Sequence, residues 1–137
     1  MSSLPDKPSA LIRLALDDLA KCEQDPRYTI NMCAWHFPHG DGNCSVCLAG
    51  AVMAQHLNIS VQEERFPSSF DDFELNRKLR ALNAFRTGWI TGGLDHLGIT
   101  IPENLIGSMT VESYRYDADQ FYTDMRHMAN ILEKEGL

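Results

Sequence analysis

The stretch from Cys33 to Leu57, CAWHFPHGDGNCSVCLAGAVMAQHL, constrains the fold more than any other part of the chain. It holds three of the four cysteines, three of the five histidines and the most apolar run. From Cys44 to Leu57 the small residues Cys47, Gly50, Ala51 and Ala54 recur at three- and four-residue steps, while Val46, Met53 and Leu57 add bulk on adjoining faces. That pattern predicts a nearly fully buried central helix, since no side of it is polar. Gly inside a helix costs about 1 kcal/mol relative to Ala. Gly50 therefore implies the close approach of another helix or of a large ring, for which Trp35 or Trp89 would fit. The residues ahead of it, Pro26 to Asn43 with Tyr28, Trp35, Phe37, His36 and His39, read as an aromatic and histidine-rich loop packed over the core. Gly40 to Asn43 form a turn cluster, with Asn43 or Cys44 as helix N-cap.

Three further helices follow from periodicity. Leu11, Ile12, Ala15, Leu16 and Leu19 share one face after Pro8, and the helix should stop before Pro26, whose ring pushes Asp25 out of the α region. Phe73, Leu75, Leu79, Leu82, Phe85 and Trp89 mark a second, opened by Ser68 and Ser69 with Asp71 and Asp72. Its basic cluster of Arg77, Lys78, Arg80 and Arg86 reads as a solvated face that suits the helix dipole. Asp117 with Gln120 caps a third, in which Phe121, Met125, Met128 and Leu132 form the apolar stripe. NISVQEERFPSS and SMTVESYRY read as short extended pieces able to pair. The expectation is a mostly α, single-domain chain over 1–137, a bundle of about four main helices around a buried central helix with a minor two-stranded element.

At 137 residues and 44% hydrophobic content, such a chain builds a core without a metal or disulfides as staples. Its 12 basic and 19 acidic residues give a net charge of −7, which disfavours nucleic acid and anionic membranes as partners. No segment approaches the roughly 18 apolar residues of a membrane span, and MSSLPDKPS lacks a secretory pattern. The expected location is the cytoplasm, with the cysteines as free thiols.

Three chemistries suit the opening stretch. Cys33, His36, Cys44 and Cys47 are spaced C-x2-H-x7-C-x2-C, and two such turns facing one another would supply the four ligands of a structural zinc. Alternatively, Cys44 at a helix start would be a nucleophile, with His36 or His39 as its base. The third reading needs no metal or cofactor: the loop is a contact surface on which Trp35, His36, His39 and Asp41 meet a partner.

The runs WHFP, NCSVCLAGAVMA, LRALNAF and SYRYDADQFYTDM together resemble small uncharacterised proteins carried by bacteriophages and prophages. Those share a Trp-His loop followed by a Cys-x-Val-Cys-Leu-Ala-Gly-Ala helix. The resemblance implies a cytoplasmic protein of an infected or lysogenic bacterium and carries no activity with it. The leading expectation is an accessory interaction module for a host protein or small ligand, non-enzymatic, with the zinc domain and the Cys/His hydrolase as alternatives. Oligomeric state is not legible in these residues.

Overall fold

The computed structural model describes residues 4–137; Met1 to Ser3, the start of the N-terminal segment read above, lie outside them. Among the described residues the protein is mostly α, 49% helical, with five α-helices and one small sheet. Helix α1 spans Pro8–Gln24 and opens with a proline in its first turn. It ends where the sequence predicts, with Asp25 extended at φ −100° and ψ 116° ahead of Pro26. Leu11, Ile12, Ala15, Leu16, Leu19 and Cys22 line its buried side. The polar side of α1 is tied to the C-terminal helix by Arg13, which donates to Glu133 and Asn130.

The segment read as a loop running into a helix start is instead a three-stranded sheet. Strands β1 (Tyr28–Ile30), β2 (His36–Pro38) and β3 (Cys44–Val46) lie in the order β1-β3-β2, with β3 parallel to β1 and antiparallel to β2. Gly40 and Gly42, at φ +83° and +86°, turn β2 back onto β3. The backbone of Cys44 to Cys47 finds partners across this sheet, with Cys44 N donating to Arg27 O at 2.8 Å and Val46 O accepting from Asn31 N at 2.9 Å. Those groups are satisfied only in an extended chain, so helix α2 begins later, at Leu48–Gln55. Its N-cap is Cys47, whose sulfur accepts from Gly50 N, and neither Asn43 nor Cys44 has that role. Leu48 through Met53 are buried, as the small-sided run requires. Asn58, at φ +56°, takes the left-handed conformation just past the end of α2.

A single 3-10 turn at Pro67–Ser69 precedes α3 (Phe73–Arg86). Ser69 closes that turn, and the N-cap of α3 is Asp72, which accepts from Leu75 N. Leu79, Leu82 and Phe85 are buried, but the stripe does not reach Trp89: α3 stops at Arg86, and α4 (Ile90–His96) starts in a new direction. Trp89 is 56% exposed, its ring lying over Gly92. The basic residues of α3 are occupied within the chain. Arg77 donates to His96 O and Glu74, Lys78 to Leu4 O and Asp6, Arg80 to Asn76, and Arg86 to Asn83.

Helix α5 (Ala118–Lys134) is capped by Asp117 and buries Phe121, Met125, Met128 and Leu132, as its periodicity predicts. The anticipated pairing of NISVQEERFPSS with SMTVESYRY does not occur; the second is irregular, and the first contributes one bridge, Arg65 to His36. The buried apolar residues form one cluster drawn from α1, α2, β3, α3, α4 and α5.

Candidate binding face and its buried support

Strand β2 alternates, so His36 points to one side of the sheet and Phe37 to the other. His36 points inward and is 1% exposed. Its backbone pairs with Arg65 on the side away from β3, through two hydrogen bonds of 3.2 and 3.0 Å. Phe37, Glu64 and Phe66 flank that bridged pair, and Trp35, just ahead of β2, is half-buried against the core. These four side chains and Cys33 border a hollow of about 320 Å³. Phe37 and Phe66 are 47% and 43% exposed there, although the fold buries most of its large apolar side chains.

Beneath this face, His36 Nδ1 lies 2.7 Å from the Glu63 carbonyl oxygen. A carbonyl only accepts, so Nδ1 carries the hydrogen, and this bond ties β2 to the Glu63 to Phe66 strip. Cys44 Sγ sits beside the ring, 3.6 Å from Nδ1 and 3.8 Å from Nε2. Burial pushes the Cys44 thiol up to about 11 and holds the His36 imidazole below its usual range. The pair is therefore a neutral thiol against a neutral ring at pH 7, packed in the core. The sequence reading placed Cys44 at a helix start, where the dipole would favour thiolate; in β3 that help is missing. Cys47 does occupy a helix start, but burial raises its thiol too.

The other candidates are distributed as follows. His39 is half-buried, its Nε2 2.6 Å from Ser45 Oγ and its ring edge-on to Phe37 at 5.7 Å. Asp41 is exposed in the turn and accepts from Asn43 N, which keeps its carboxyl below the ordinary value. Cys33 is the exposed thiol, its amide donating to Asn31 Oδ1. Cys33, His36, Cys44 and Cys47 are thus split between the outer rim, the interior and the start of α2. Among the described residues, no three His, Cys, Asp or Glu side chains are grouped to hold a metal ion.

Phe66 was not singled out from the sequence. The short alternation of Ile59, Val61 and Glu63 does not include it, and its place becomes visible only once Arg65 is paired with His36. Among the described residues no helix is long and apolar enough to cross a membrane. Comparison with protein-family models, curated proteins and solved structures returned no match.

Proposed function

We propose that this chain is a small binding module whose contact face is the outer side of the β2 hairpin and the strip from Glu63 to Phe66. The observation that carries the reading is the pair of exposed rings, Phe37 and Phe66, on the rim of one hollow held rigid from behind by the His36 to Glu63 bond. Aromatic anchors around a concavity are the usual energetic centre of a protein contact. Trp35 lines the hollow, the His39 ring stands edge-on to Phe37, Asp41 lies farther out in the turn after β2, and His36 acts from beneath as the brace. The net charge of −7 favours a partner with a basic face. Taken with the resemblance to phage-borne proteins, the partner class is a protein of the bacterial host, met in the cytoplasm.

The hydrolase alternative has the contact between Cys44 and His36 in its favour, but a buried neutral thiol is poorly suited to attack a substrate. Cys33 gives a direct test of the binding reading, because its thiol lies on the rim of the hollow. Its alkylation by iodoacetamide should slow when thiol-blocked, desalted bacterial extract is added, and should recover when the extract is heat-inactivated. An unchanged rate at saturating extract would count against this face as the contact.

A further inference from the structure

A second concavity, of about 550 Å³, lies between the end of α2 and the start of α3. It shares no lining residue with the hollow beside Phe37. Leu57, Phe70 and Leu75 give its lining an apolar part, and His56, Asp71, Glu74 and Lys78 a polar one. Behind His56 is a charge that the fold leaves incompletely answered. Asp18, on α1, is 2% exposed, and its Oδ2 has no hydrogen-bond partner. The nearest basic side chains are just beyond hydrogen-bond reach, with His56 Nδ1 3.8 Å from Oδ2 and Lys21 Nζ 3.9 Å from Oδ1. A buried carboxylate so placed costs free energy unless more positive charge approaches.

We propose that this cavity binds an organic cation, an amine or guanidinium carried on an apolar stem. The stem would lie along Leu57, Phe70 and Leu75, while the charged head meets Asp71 and the His56 ring in front of Asp18. The carbonyl end of α2 adds partial negative charge on the same side, and the opposing start of α3 is already neutralised by Asp72. Local cations do not fill the role. Lys78 is committed to Asp6 at 2.8 Å and to Leu4 O at 2.9 Å, Arg77 to Glu74 and His96 O, and Arg65 to Glu63 outside the Phe70 ring. Asp71 has no ion-pair partner among the described residues. The cavity volume is in the range that encloses a small ligand.

The test is a titration of the full chain, followed by amide chemical shifts, with hexylamine, hexanol and hexanoate as matched probes. Hexylamine should give saturable shifts at Leu57, Phe70 and Leu75, and hexanol and hexanoate should bind more weakly. The exposed pair Asp71→Asn and Glu74→Gln should weaken hexylamine about fivefold while leaving the fold intact. A short lysine-bearing peptide added in parallel identifies the source of the cation: tighter binding than hexylamine points to a partner's side chain, and weaker binding to a free amine. Equal binding of hexanol, stronger binding of hexanoate, or shifts lying outside the cavity would overturn the proposal.

Discussion

The backbone carbonyl of Trp35 accepts a hydrogen bond from Cys47 N at 3.2 Å and fills the space that a Cβ on Gly50 would occupy. This contact joins the segment leading into β2 to helix α2. The sequence predicts a close approach at Gly50, with Trp35 among its causes, but the approaching group is the main chain and not the indole.

It follows that Gly50→Ala acts against helix propensity. In a free helix the change would stabilise by about 1 kcal/mol. Here it forces β2 away from α2 and should cost more than about 3 kcal/mol. Urea unfolding of the variant reads the sign directly, and a gain in stability would mean that Trp35 does not pack there.

The buried Asp18 makes stability depend on pH. Desolvation raises its pKa from 3.8 to about 6, the nearby His56 and Lys21 only partly opposing the shift. Between these values the folded chain keeps a proton that the unfolded chain releases, so stability falls as pH rises through the window. The contribution is fully present below pH 3.8 and is lost above about 6, amounting to roughly 3 kcal/mol. Asp18→Asn should flatten this slope in denaturant melts at successive pH values and raise stability at pH 7. An unchanged slope would show that Asp18 is solvated or paired.

The four thiols should separate into one and three. Cys33 is exposed, whereas Cys22, Cys44 and Cys47 are buried, with Cys22 and Cys44 pushed up to about 11. A colorimetric thiol reagent should find one fast group in the folded protein and the remaining three only on unfolding. A fast reaction at Cys44 would restore the nucleophile reading.

The helices were legible where a long stripe of one period ran between clear stop signals. Pro8 and Pro26 bracket α1, and Asp117 starts the stripe of Phe121, Met125, Met128 and Leu132 in α5. The sheet was not legible, because strands of three residues are too short to show a period. Cys44 and Cys47 also fall at a helical spacing, which drew the start of α2 forward by four residues. Trp89 looked like the next step of the α3 stripe, yet the chain turns at Gly88, whose φ is +88°. The surroundings of the candidate residues were less legible: the inward turn of His36 depends on its register with Arg65, and Asp18 gives no sign in the sequence that its helix face will be covered.

Replacing Phe37 and Phe66 with Ala should leave the fold almost untouched, within about 0.5 kcal/mol per site, since neither ring belongs to the core. The central claim is that these rings serve a partner, and it is tested most directly by quantitative affinity capture from bacterial extract. Immobilised wild-type chain would be compared with the Phe37→Ala, Phe66→Ala double variant and with Phe73→Ala, which removes an equally apolar ring that is 71% exposed elsewhere. A partner retained at near-stoichiometric yield by the wild type and by Phe73→Ala, and lost at least tenfold from the double variant, is the predicted result. Equal retention by all three proteins, or loss with Phe73→Ala alone, would contradict it.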